Sequence, residues 1–65
     1  MDPKQRINIT VGLKVEVVQK QDQRTNKTTE GIVKKILTNS TYHPHGIKVM
    51  LESGVVGRVV TILHD

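Results

Sequence analysis

The alternation in residues 46–60, GIKVMLESGVVGRVV, constrains this chain more than any other feature. Ile47, Val49 and Leu51 alternate with Lys48, Met50 and Glu52, the period of a strand with one buried face. A two-residue loop at Ser53-Gly54 would set Val49 opposite Arg58 and drive the guanidinium into the apolar layer. A three-residue loop, Glu52-Ser53-Gly54, closed by a glycine of left-handed conformation, pairs Leu51 with Val55, Val49 with Gly57 and Ile47 with Val59 instead. Every inward position is then apolar or glycine. The outer face carries Lys48, Met50, Val56 and Arg58, with Lys48 opposite Arg58. Like charges in that position cost a few tenths of a kcal/mol unless an anion lies across them.

The rest of the chain has to complete a core around this hairpin within 65 residues. A chain of that length is one domain and buries only about 60% of its unfolded surface. Ten Val, six Ile, four Leu and seven Thr make a β-branched, strand-forming composition, while Trp, Phe and Cys are absent and Tyr42 is the single aromatic residue. Without cysteine there is no disulfide, no thiolate metal site and no cysteine nucleophile. No apolar run approaches a membrane span, and MDPKQRINIT lacks a signal-peptide core, so the expected location is the cytoplasm and no membrane partner is expected.

Asp2-Pro3 suits the start of one helical turn, whereas Ile7 and Ile9 alternating with Asn8 and Thr10 suit an extended arm. Residues 1–10 are expected to be an arm packed on the barrel or partly disordered, and residues 11–63 the single domain. The first strand runs over residues 11–18, with Val15 and Val17 inward and Lys14 and Glu16 outward. Residues 19–29, QKQDQRTNKTT, contain no apolar side chain and read as a long, mobile loop with turn chemistry at Asn26. Lys20, Arg24 and Lys27 make it either a solvated loop or a phosphate-contacting one.

In residues 30–37, EGIVKKIL, the apolar pairs Ile32-Val33 and Ile36-Leu37 flank Lys34-Lys35. A helical stripe is available, but the short, β-branched segment favours a bent strand in which a bulge at the two lysines lets both pairs pack. Residues 38–46, TNSTYHPHG, form a second long loop in which Asn39 and Ser40 can bond their own backbone and Pro44 holds His43 extended. Thr61-Ile62-Leu63 can add a last short strand or a 3₁₀ turn, with His64 and Asp65 frayed.

Gly12-x-x-Val15-x-Val17, Gly31-x-Val33-x-x-Ile36 and Val49-x-Leu51-x-x-Gly54-x-x-Gly57-x-Val59 resemble the spacing of SH3-like barrels of the KOW, ribosomal-protein and Tudor kind. More specifically, KQDQRT, EGIVKKILTNS and HPHGIKV, with LESG and VGRV, are similar to the YwbE family of short uncharacterised prokaryotic proteins, over about residues 9–62. The family resemblance brings no established activity, and the barrel resemblance implies contacts with RNA, ribosomes or polymerase by analogy of fold. The expected architecture is all-β: a small SH3-like barrel of four to five strongly bent antiparallel strands.

Aromatic walls for polyproline or methyl-lysine cannot be built from Tyr42 alone, and its ring is expected to lid the small core rather than to stack a base. His43-x-His45 places two imidazoles on one side of an extended segment. A metal there needs a third ligand from His64, Asp22 or Glu52, so backbone hydrogen bonds are the expected use of the pair. Ser40, Ser53 and the histidines lack a glycine-flanked nucleophile elbow or an acidic pair, and so small a domain leaves little room for a substrate cavity. No enzyme and no cofactor are expected.

Ten Lys and Arg against six Asp and Glu, a formal charge of +4, point to a polyanion. Lys34 and Lys35 at the bend, Lys48 and Arg58 on the outer hairpin face, and Lys20, Arg24 and Lys27 on the first loop are the candidate phosphate contacts. Asn39, Ser40, Tyr42, His43 and His45 are candidate loop contacts. RNA or a ribonucleoprotein surface is the expected partner, with DNA as an alternative, and a monomer is expected rather than a dimer. The competing reading is a protein adaptor using the strip Met50, Val56 and Val60 or an exposed strand edge, unless Ile7 and Ile9 of the arm cover that strip. A polyanion site requires these cations to share a face and to lack carboxylate partners.

Overall fold

A computed structural model of the chain describes residues 2–63. Four strands, β1 (Lys14–Val18), β2 (Thr29–Ile36), β3 (Lys48–Leu51) and β4 (Val56–Ile62), pair antiparallel in sequence order, and β1 then pairs β4 to close a barrel. Two 3₁₀ turns, Arg6–Asn8 and Lys20–Asp22, are the only helical segments among the described residues.

The β3–β4 hairpin has the register that keeps Arg58 out of the core: Lys48 faces Arg58, Val49 faces Gly57 and Met50 faces Val56. Leu51 N–H bonds the Val55 carbonyl at 2.7 Å, and Gly54, at φ 91°, closes the three-residue loop. Strand β1 alternates as its sequence dictates, with Val15 and Val17 buried between half-exposed neighbours.

Strand β2 carries the bulge: Val33 pairs with Leu51 and Lys35 with Met50, so Lys34 is one residue more than β3 can match. Both lysines are exposed, and Val33 is buried while Ile32, Ile36 and Leu37 are half-buried. A second bulge lies where β4 meets β1: Glu16 pairs with Thr61 and Val17 with Val59, leaving Val60 as the extra residue. Val59 and Ile62 therefore both face inward although three positions apart, and residues 61 and 62 belong to β4 rather than to a separate strand or turn.

The core is entirely aliphatic: Ile9, Val15, Val17, Val33, Ile47, Val49, Leu51, Val59 and Ile62 are buried, with Leu13, Ile36 and Val55 packed against them. Ile9 belongs to the arm. Asp2-Pro3 forms a turn in which the Asp2 carboxylate accepts from Lys4 N–H at 2.8 Å. Beyond it the backbone bonds residues 41–47: Arg6 N–H to the Thr41 carbonyl, His43 N–H to Lys4 and Ile47 N–H to Pro3. Those bonds run along the second loop and not along the Met50–Val56 strip, and Ile7 is 87% exposed. Burial of Ile9, not cover for the outer face, is what the arm supplies.

Two glycines separate the cost of conformation from the cost of space. Gly54 and Gly46 both have positive φ, 91° and 101°, but Gly54 has nothing within 4 Å of a built Cβ, whereas at Gly46 that Cβ would overlap the Val59 carbonyl oxygen. Gly54→Ala is therefore expected to cost about 1 kcal/mol, the left-handed penalty alone, and Gly46→Ala at least about 2 kcal/mol more, because backbone must move. Urea unfolding of the two variants checks this, and equal losses would count against the close approach of Gly46 to the Val59 carbonyl.

Candidate functional site

The hairpin register sets Lys48 and Arg58 side by side on the outer face, and closure of the barrel brings Val18 of β1 opposite Arg58 on its other side. Arg58 is half-buried and donates from Nη1 to the Gly46 carbonyl at 3.0 Å. That bond lays the guanidinium along the barrel wall without neutralising it, since a carbonyl carries only a partial charge. Lys48 is exposed, and its backbone N–H donates to Thr38 Oγ1 at 2.7 Å.

The loop between β1 and β2 folds back beside this face. Its 3₁₀ turn is closed by Asp22 N–H on the Gln19 carbonyl at 2.9 Å, and Thr25 N–H bonds the Asp22 carbonyl at 3.2 Å. Asn26 then takes φ 57°, a left-handed conformation that asparagine tolerates. Gln19 Nε2 donates to Thr29 Oγ1 at 3.0 Å and ties the two ends of the loop together. The stretch expected to be a loose loop is thus a compact flap.

Between flap and hairpin lie two adjoining concavities of about 490 and 460 Å³, which share Val18, Gln23 and Arg58 in their walls. Lys20 and Lys48 line the smaller one, and Asn26, His45 and Val60 the larger. The sequence gives no reason to expect such volume in a 65-residue chain. It arises outside the barrel, from loop against sheet, where no core has to be given up.

The structure brings Lys20, Lys48 and Arg58 together, with His45 beside them. It does not bring the other four cations into these walls: Arg24 and Lys27 are exposed on the flap, and Lys34 and Lys35 project from the β2 bulge across from Met50. Asn39 and Ser40 are exposed on the second loop. Tyr42 is 47% exposed and forms an isolated bridge with Gln5, so it is not a lid over the core. Gln23, Asn26 and Val18 are wall residues that sequence reasoning did not single out as contacts. Only the turn chemistry of Asn26 signalled any of them.

None of the seven candidate cations is in an ion pair among the described residues. The one salt bridge found there joins Lys14 to Glu30 at 3.2 Å. The rings of His43 and His45 lie 5.7 Å apart at 47°, and no third His, Asp or Glu joins them among the described residues; His64 lies outside those residues. His43 Nδ1 accepts a hydrogen bond from His45 N–H at 3.2 Å, and Gly46 N–H bonds the His43 carbonyl at 3.0 Å, closing a turn over Pro44. Closure of the barrel also leaves the four-stranded sheet without the free edge that a strand-adding partner would need.

Residues 2–62 match the family described as "Uncharacterized conserved protein (DUF2196)". The chain belongs to this family. It is also 55% identical over 58 residues to the "Uncharacterized protein YwbE" of Bacillus subtilis (strain 168), covering 89% of each chain. No solved structure matches it. No helix among the described residues is long and apolar enough to cross a membrane.

The turn over Pro44 uses His43 in its neutral form, because a protonated Nδ1 could not accept from His45. Desolvation first, then the charges of Arg58 and His45, hold the His43 imidazole below its ordinary 6.5. A base whose pKa is lower folded than unfolded takes up protons more readily when unfolded. The stability linked to His43 is therefore complete above pH 6.5 and declines as the pH falls from there through the lowered value. NMR titration is expected to place His43 below the ordinary histidine range, and Arg58→Ala to move it part-way back. A midpoint unmoved by that substitution would contradict the placement of the guanidinium.

Proposed function

We propose that this protein is a non-catalytic, cytoplasmic binding module that takes RNA, or the RNA surface of a ribonucleoprotein, against the cleft between the flap and the β3–β4 hairpin. The observation that carries this reading is the convergence of Lys20, Lys48 and Arg58 on one concavity with no carboxylate pairing any of them among the described residues. The like-charge neighbours Lys48 and Arg58 are mutually unfavourable in the free protein, and a phosphate between them turns that repulsion into binding energy. Lys34, Lys35, Arg24 and Lys27 lie outside the cleft and contribute long-range attraction rather than contacts. RNA is favoured over duplex DNA because neither 3₁₀ turn, at three residues each, can act as a helix in a major groove.

Three phosphate contacts on a single strand give a log affinity that falls with log salt at a slope of about −2, at about −0.7 per contact. Lys20→Ala and Lys48→Ala are each expected to weaken binding and to reduce the slope by about 0.7. Fluorescence anisotropy across a salt series reads both quantities. Salt-insensitive self-association by light scattering, with no RNA bound, would replace this reading with a protein adaptor working through Met50, Val56 and Val60.

A further inference from the structure

We infer that Arg58 divides the cleft into a phosphate side and a base side, and that the occupant is one unpaired nucleotide of an RNA strand. This rests on the reading of the cleft as an RNA site and adds what the second concavity is for. The two concavities differ in chemistry although they share a wall. Gln23, Val18 and Arg58 line both. To these one side adds Lys20, Lys48, Val56 and a Gln21 amide already bonded to Gln19, whereas the other adds no lysine but the unbonded amide of Asn26, the His45 ring and the exposed apolar side chain of Val60. A phosphate is recognised by charge. A nucleobase is recognised by an apolar surface for its face and paired donors and acceptors for its edge, which carboxamides supply.

Three observations favour a base on that side. Among the described residues neither the Gln23 nor the Asn26 side chain makes a hydrogen bond within the protein, whereas Gln19 and Gln21 of the same loop are both engaged. Asn26 is the only non-glycine residue described with positive φ, so its amide is presented from a left-handed position in the turn. Val18, shared by both concavities, and Val60 supply an apolar surface where the lone tyrosine is absent. Because a base held in a helix cannot enter such a recess, the nucleotide has to be unpaired, as in a loop, bulge or single strand. Arg58, fixed to the Gly46 carbonyl at 3.0 Å, stands between the two sides where sugar and phosphate would join.

The test compares an eight-nucleotide single-stranded RNA of mixed sequence with an abasic phosphodiester chain of the same length and charge. The RNA is expected to bind about fivefold more tightly, roughly one net hydrogen bond. The double variant Gln23→Ala/Asn26→Gly is expected to bind both at the affinity of the abasic chain. Glycine keeps the left-handed conformation at position 26, and Asn26→Gly alone, which alters only the base side, is expected to lose part of the difference and serves as a second reading. Equal binding of RNA and abasic chain by the unaltered protein would overturn the base side while leaving the polyanion reading in place. Binding of neither would end both. A free mononucleotide that competes as well as the strand would overturn the strand as occupant.

Discussion

Closing a four-stranded sheet around a purely aliphatic core requires strands that bend sharply, and two of them do so by carrying one residue more than their partners. A bulge increases local twist and lets two neighbouring side chains point the same way. In β2 it turns Lys34 and Lys35 outward together, so that Val33 and Ile36 can both pack inward. In β4 it turns Val60 and Thr61 outward together, so that Val59 and Ile62 can both reach the core. Without the second bulge the inward set on β4 would change sides beyond Val59. The β1–β4 pairing that closes the barrel would then have no apolar inner face.

That closure is also what makes the cleft. Val18 stands beside Arg58 only because β1 and β4 are neighbours, and Val60 reaches the rim only because it is the extra residue of the bulge. The flap then needs no contact with the core to have a defined place. Its ends are fixed by the strands they join and by the bond from Gln19 to Thr29. Core, bulge and cleft are successive consequences of fitting aliphatic side chains into a small barrel.

The hairpin was legible from sequence because its alternation is strict and because the wrong register would have buried Arg58. The β2 bulge was legible too, since two apolar pairs on either side of Lys34-Lys35 cannot face one way on a regular strand. The β4 bulge was not. Val59 and Val60 are both apolar, so nothing in their identity says which is inside, and residues 61–63 read as a separate piece. Ile7 and Ile9 posed the same ambiguity, resolved in the fold by the turn at Asp2-Pro3 and the 3₁₀ turn that follows it. Among the seven candidate cations, charge marked all alike. Position relative to the flap, which depends on the long-range β1–β4 pairing, selected Lys20, Lys48 and Arg58.

A barrel this small has no interior to lend to a ligand, so any site must be built on its outside. Tyr42 is not among the wall residues of the exposed site, so the His45 imidazole is the one ring there that could stack, and charge and hydrogen bonding have to supply most of any affinity. Charge alone is screened and carries no sequence information. The flap changes that balance by setting uncharged amides next to the cations, and it does so on a turn whose conformation asparagine tolerates better than most residues. The least hydrophobic stretch of the sequence, residues 19–29, thus supplies the uncharged amides of the cleft, while the barrel supplies Lys48, Arg58 and the apolar wall of Val18 and Val60.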